Sequence, residues 1–241
     1  MSTMAEMRTT STLQRRPIHN DRRGLAWWLA VAVCKPVLVV LRRPDWRGVA
    51  GIPRVGGAVL AANHVSHLDP LLVAEMVLAE GRVPRFLAKD SLFNKPVVGR
   101  WFRAAGHVSV DRAAGRAGYD DAVRAARHGR LLLVYPEGSI TKRKDGLPMT
   151  MKSGAVRIAL EASVPLVPVA QWGAQEILPA YSWQLRWAWR RRVVIVVGPP
   201  VPLDDLRDLE SARAIEVGRR RLEDTLSAMV CELSGPDTPP Q

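Results

Sequence analysis

Cysteine is scarce in this chain: two occur in 241 residues, Cys34 inside an apolar segment and Cys231 near the end. That scarcity excludes a disulfide framework and a cysteine-rich zinc site, and the expected setting is reducing and cytoplasmic. Acidic residues are short as well, 23 against 35 lysines and arginines, for a formal charge of +12. Such a balance calls for an anionic partner, which nucleic acid, an anionic membrane surface or a phosphorylated substrate could each supply. No zinc finger or basic zipper is legible, so nucleic acid is not the expected partner. There is no Gly-x-Ser-x-Gly elbow and no Gly-x-x-x-x-Gly-Lys loop, which argues against a serine hydrolase and a P-loop enzyme. The first 23 residues are polar and end in Arg22 and Arg23, without the pattern of a signal peptide.

Long apolar runs are confined to residues 25–41, flanked by Arg22 and Arg23 on one side and Arg42 and Arg43 on the other. As a helix this stretch is about 26 Å long at roughly 1.5 Å per residue, somewhat short of a hydrocarbon core of roughly 30 Å. Lys35 and Pro36 sit near its middle, and arginines at both ends leave no charge asymmetry to orient a span. A helix or kinked helix pair lying in one leaflet fits better than a crossing. Trp27, Trp28 and Trp46 add rings of the kind found at headgroup level. Burial of the same helix against the domain is the alternative.

With 47% apolar residues the chain is rich enough for one α/β domain. Strands are expected at 58–62, 85–88, 107–110, 131–135, 166–170 and 193–197, and helices at 71–80, 96–104, 118–128, 153–162 and 211–233. That alternation predicts a sheet flanked by helices. The organisation reads as a basic tail (1–23), an N-terminal interfacial segment (24–56), the main domain (57–200), a C-terminal helical segment (201–234) and a short tail (235–241). Arg219, Arg220 and Arg221 in the last helix read as a solvated face, with phospholipid contact as the alternative.

Chemistry concentrates in four blocks. In the first, Asn63-His-x-x-x-x-Asp69, the histidine and carboxylate are five apart, which a continuous helix would leave roughly 140° apart. A strand end turning tightly into a helix could join them, and Asp69-Pro70 is itself a helix-start signal. Two roles stand open for Asp69: partner of a proton-accepting His64, or N-cap of the helix. A metal reading of His64, His67 and Asp69 finds no fourth ligand, so no metal is expected. The second block, 106–112, ends a strand on Arg112, whose guanidinium suits a phosphate or pairs with Asp111. The third, Tyr135-Pro136-Glu137-Gly138-Ser139, closes an apolar strand and leads into Lys142, Arg143 and Lys144; Glu137 there is placed to meet a hydroxyl. The fourth, 164–169, carries Pro165 and Pro168 in a strand-like run, which predicts an edge strand or a strand start.

Taken in this order, the four blocks resemble those of the lysophospholipid acyltransferases, in particular the 1-acyl-glycerol-3-phosphate acyltransferases. The resemblance covers roughly residues 57–175. It implies a glycerolipid acyltransferase-like α/β fold, a single mixed sheet flanked by helices, with an N-terminal membrane-interfacial helix or helix pair. It also implies transfer of a fatty acyl group from acyl-CoA or acyl carrier protein to a lysophospholipid hydroxyl, giving phosphatidic acid when the acceptor is 1-acyl-glycerol 3-phosphate. Other lysolipid or aminolipid acceptors belong to the same family of reactions. On that reading His64 is the general base and Asp69 orients it. Arg112 and Lys89 hold phosphate, Glu137, Gly138 and Ser139 line the acceptor site, and Lys152 is a further basic contact. The acyl donor is a co-substrate and no cofactor is implied. The expected partners are the donor, the lysolipid and anionic lipids at the cytoplasmic face of a membrane, where the chain is peripheral or monotopic. The third block of the family usually reads Glu-Gly-Thr-Arg, whereas here Ile140 stands in the place of the arginine.

Overall fold

A computed structural model describes residues 24–110, 117–182, 184–186, 190–207 and 209–235. The chain opens with helix α1 (Leu25–Leu41), then β1 (Arg42–Arg47), β2 (Ala58–Ala62), α2 (Asp69–Ala79) and β3 (Pro84–Lys89). There follow α3 (Asp90–Phe93), α4 (Pro96–Ala104), β4 (Val108–Val110), α5 (Ala117–Arg127) and β5 (Leu131–Val134). The remainder is α6 (Gly154–Ala162), β6 (Leu166–Trp172), α7 (Ala174–Ile177), β7 (Arg191–Val197) and α8 (Ser211–Ser234). Seven strands form one sheet in the order β1-β7-β6-β2-β5-β3-β4, every neighbour parallel except β6 and β7. The predicted single mixed sheet with flanking helices is what the chain adopts.

Parallel strands covered on both faces read as unbroken apolar runs, because helices pack on either side. β2 and β5 show this, being buried at every position. Alternate residues divide between two cores. Ala58, Leu60, Ala62, Leu131, Leu133, Val167 and Val169 face one layer containing Leu38, Leu41, Leu72, Val73, Met76 and Ile177 of α1, α2 and α7. Val59, Ala61, Leu132, Val134 and Leu166 face the other, with Val123, Val156, Ile158, Leu222 and Leu226 of α5, α6 and α8. The strand pattern thus assigns each residue a layer, and the helices supply the cover.

Several expectations are corrected. Within the interval 24–56, read as an interfacial segment, residues 42–47 belong to the sheet: β1 pairs in parallel with β7 from Arg42↔Arg191 to Arg47↔Val196. Nothing in Arg-Arg-Pro-Asp-Trp-Arg alternates like a strand. The pairing is supported by Asp45, whose Oδ2 accepts from Arg47 at 2.8 Å and from Arg192 across the ladder at 2.6 Å. The Arg47 and Arg192 guanidiniums hold the Asp45 carboxyl down to about 2. β6 is internal rather than an edge. Pro168 is tolerated there because its missing N–H faces β7 just before that ladder begins at Val169↔Val197, while its carbonyl accepts from Gly198 N–H. Residues 25–41 form one helix containing Pro36, not a helix pair, and no described helix is long and apolar enough to cross a membrane. On α8 the solvated-face reading of the arginine run stands: Arg219 pairs with Glu216 and Glu223, Arg220 with Glu216 and Arg221 with Asp205.

β2 lies between β5 and β6, yet the chain leaves it through α2 toward β3 on one side and returns from β5 through α6 to β6 on the other. At such a switch point the carboxyl ends of the strands are the usual ligand position in open sheets, and His64 follows the carboxyl end of β2 there. Gly57, which leads into β2, is held tightly there: a Cβ would lie 1.9 Å from the Ala126 carbonyl oxygen. That obstacle is backbone and cannot rotate away. Gly57→Ala is expected to lower unfolding free energy by about 1–3 kcal/mol, as overpacking does, measured by denaturant titration.

Candidate active site

At the end of β2 the ladder is continued by a side chain. Asn63 donates from Nδ2 to the Gln171 carbonyl at 3.1 Å, and its Oδ1 accepts from Gln171 N–H at 2.8 Å. Gln171 Nε2 in turn donates to the Asn63 carbonyl at 2.6 Å. Both residues are buried, so this three-bond clamp fixes where the chain departs from the sheet. His64 comes next, with its N–H donating to Glu137 Oε1 at 2.9 Å and its carbonyl accepting from Thr141 N–H at 2.7 Å. Ser66 closes the loop by donating from Oγ to the Leu178 carbonyl at 2.7 Å.

The sixth residue after Asn63 turns this loop into a site. His64 Nδ1 lies 2.8 Å from Asp69 Oδ2, and the same oxygen accepts from the N–H groups of Val65 at 2.6 Å and Ser66 at 2.8 Å. Asp69 is wholly buried, and burial pushes its carboxyl up from the ordinary value while the His64 ring and the two backbone donors pull the other way. A carboxylate accepting at Nδ1 places the imidazole proton there, which leaves the Nε2 lone pair to take a proton. The imidazole side chain keeps 15% exposure. The expected helix cap is corrected: Leu68 is the N-cap, Asp69 is the first helical residue and Pro70 the second, and the carboxylate binds the loop behind it, not the helix ahead. Its position in the first turn also suits the positive end of the α2 dipole.

The loop after β5 forms the second wall. Tyr135 stacks on His64 with ring centroids 4.2 Å apart and planes inclined by 28°. Gly138 occupies the left-handed region at φ 76°, and its N–H donates to the Tyr135 carbonyl at 3.0 Å, so the chain turns sharply there. Glu137 is buried. Its Oε1 accepts from His64 N–H and its Oε2 from Met149 N–H at 2.8 Å, joining three segments. Burial pushes its carboxyl up, and these two N–H groups lower it in part. The sequence placed Glu137 against an acceptor hydroxyl; in the structure its two oxygens hold backbone.

The basic residues are more dispersed. Lys89 is exposed at the carboxyl end of β3, two strands from β2 and on the same edge of the sheet as His64. Arg112 lies outside the described residues. Ser139 is half-buried beside Gly138, and Lys152 is exposed, its N–H donating to the Pro136 carbonyl at 2.9 Å. Ile140 is buried and its carbonyl accepts from the Tyr181 hydroxyl at 2.5 Å. Beyond it Lys142 and Lys144 are exposed, while Arg143 pairs with Asp145 at 2.6 Å. No described cluster of three or more His, Cys, Asp or Glu could hold a metal ion. The sequence reading missed Gln171, Tyr135 and Thr141. Gln171 carried a signal as the polar residue after the apolar run 166–170, and Tyr135 stood in the third block without an assigned role.

Comparison with known proteins places this geometry. A family model described as Acyltransferase matches residues 43–172. The chain belongs to the acyltransferase family. A 1-acyl-sn-glycerol-3-phosphate acyltransferase from Limnanthes douglasii is 32% identical over 155 residues, covering 61% of this chain and 51% of that protein. A chloroplastic protein of the same description from Brassica napus is 31% identical, covering 58% of this chain and 40% of its own length. An uncharacterized Mycobacterium tuberculosis protein is 35% identical over 61% of this chain and 43% of its own. The chain thus spans about half or less of the length of these relatives. The crystal structure of the 1-acyl-sn-glycerophosphate acyltransferase of Thermotoga maritima shares the fold, with a TM-score of 0.64 at 24% identity, covering 81% of this chain and 74% of that one.

The acyltransferase family match spans β1 to the end of β6, and therefore includes both the His64 loop and the Tyr135 loop. Asp69 bonds the His64 ring and also holds the loop that carries it. Asp69→Asn keeps the volume but presents an amide where a carboxylate oriented the ring, so turnover should fall about 10²–10⁴-fold, the range of a positioned proton-transfer group. Steady-state kinetics beside a thermal melt check this; near-parental turnover would remove Asp69 from the chemistry.

Proposed function

We propose that this chain transfers a fatty acyl group from acyl-CoA or acyl carrier protein to the free hydroxyl of 1-acyl-glycerol 3-phosphate, giving phosphatidic acid in phospholipid biosynthesis. The observation that carries the reading is the 2.8 Å contact between His64 and the buried Asp69 at the switch point. His64 Nε2 takes the acceptor proton as the hydroxyl oxygen attacks the thioester carbon. The tetrahedral adduct expels the thiolate, and the imidazolium returns the proton to sulfur. Asp69 holds the Nδ1–H tautomer and offsets the imidazolium charge. No protein nucleophile and no metal is needed in this scheme. Lys89 and Arg112 are the proposed phosphate contacts, with Glu137, Gly138 and Ser139 shaping the acceptor side. His64→Ala is expected to lose at least about two orders of magnitude of transfer from labelled acyl-CoA while remaining folded.

A second acceptor has one specific observation behind it. Ile140 is buried where the resembling family usually carries an arginine, so one phosphate contact is missing at that position. Side-by-side turnover on lysophosphatidic acid, glycerol 3-phosphate, lysophosphatidylinositol and a lyso-aminolipid decides between them. Preference for lysophosphatidic acid supports the first reading, and preference for another acceptor replaces it.

The same proposal puts the chain at the cytoplasmic face of an anionic membrane. Leu25, Leu29, Val33, Val37 and Val40 recur every three or four residues along α1 and are exposed, Leu25 by 75% and Val33 by 70%. Trp28 adds a ring at 57% exposure. A helix whose exposed side is apolar apart from Lys35 suits the headgroup boundary, and the net charge of +12 suits anionic lipid. Leu29→Glu with Val33→Glu should reduce co-flotation with phosphatidylglycerol vesicles at least about tenfold, since two glutamates replace apolar contacts each worth about 1.5–3 kcal/mol when fully buried. Unchanged flotation would detach α1 from the membrane.

A further inference from the structure

Three restraints on His64 act in the plane of its ring or through its backbone: Nδ1 meets Asp69, the N–H meets Glu137 and the carbonyl meets Thr141. One contact acts on the ring face. Tyr135, the first residue after β5, lies over the imidazole at 4.2 Å with an inclination of 28°, well inside the distance of about 6 Å at which a cation is attracted by an aromatic face. A neutral imidazole gains dispersion from this stack. An imidazolium gains in addition the attraction of the ring quadrupole. The contact therefore strengthens as His64 accepts a proton, and an interaction stronger in the transition state than in the ground state is what raises turnover.

The surroundings of Tyr135 keep it suited to that role. Burial, reinforced by the Asp69 charge, pushes the phenol well above its ordinary value, so the ring stays neutral. Its hydroxyl lies near the Gln171 side chain without hydrogen-bond geometry among the described residues, and neither group reaches His64 as a donor. Among the described residues, the charged or titratable groups facing His64 are Asp69 from α2 and Glu137 and Tyr135 from the loop after β5. The two carboxyls favour the imidazolium as well, but each is also committed to backbone N–H groups, whereas the tyrosine face is committed to the imidazole.

We propose that Tyr135 is a positioning residue of the reaction, its ring face holding the His64 imidazole against Asp69 and stabilising the imidazolium that forms when the acceptor gives up its proton. The inference rests on His64 acting as the base. Tyr135→Phe keeps the face and should stay within about twofold of the parent. Tyr135→Leu removes it, and should lower kcat about 3- to 30-fold with little change in KM, the size of a partly desolvated cation–π contact. The sign of the pH effect follows: an imidazolium that has lost a stabilising contact forms only at lower pH. The acid limb of the rate profile, and the pH at which the His64 ring signal titrates by NMR, should both move down by about 0.5–1.5 units in Tyr135→Leu. A purely structural role would move neither. Should the leucine variant misfold, pentafluorophenylalanine at position 135 keeps the ring shape and reverses its face charge, and the same downward shift is expected.

An acid limb and ring titration unmoved in the leucine or fluorinated variant would overturn the inference. So would a phenylalanine variant as impaired as the leucine one, because the hydroxyl would then be the active part. His64→Ala measured in parallel separates the two failures. Retained turnover there removes the base and this inference together, whereas an inactive His64→Ala with an unshifted Tyr135→Leu profile removes this inference alone.

Discussion

Asp69 Oδ2 accepts three hydrogen bonds with no exposed surface, and the shape of the whole loop 63–68 follows from that requirement. Desolvating a carboxylate costs several kcal/mol unless donors surround it. Two of the donors here are backbone N–H groups three and four residues upstream, so the chain must fold back over the start of α2 to supply them. The third is the imidazole, which is thereby placed at the switch point. Imidazole, loop and helix start are one unit, and none can be altered without releasing a buried charge.

The sheet supplies the opposing constraint. Asn63 and Gln171 lock the exit from β2 to the end of β6, and Glu137 ties the loop after β5 to His64 on the other side. The imidazole is therefore referenced to three adjacent strands. Such redundancy keeps reacting atoms in register, because small displacements in a proton-transfer geometry are expensive in rate. It also accounts for an acidic residue, Glu137, in a site expected to receive a phosphate: its charge is turned inward onto N–H groups.

The central fold was legible because its residues obey one rule each. Residues 58–62 and 96–104 were read to the residue, the first as an apolar run and the second from its proline start to the alanine before Ala105-Gly106. The His64 and Asp69 pair was legible as a spacing, though local residues left Asp69 open as a cap. β1 was not legible, since three arginines and a proline in six residues become a strand only beside β7 and with Asp45 between the charges. Pro168 misled in the other direction: a missing donor marks an edge only when a neighbouring strand needs that donor. The stack of Tyr135 on His64 joins residues 71 apart in the chain, and no periodicity encodes it.

Helix α1 ends at Leu41 and β1 begins at Arg42, with no residue between them. A helix joined to a sheet in this way behaves as a lever arm, not a tether. On the proposed reading, a membrane that captured its exposed side would set the tilt of all seven strands at once, and with it the angle at which a lysolipid would approach His64.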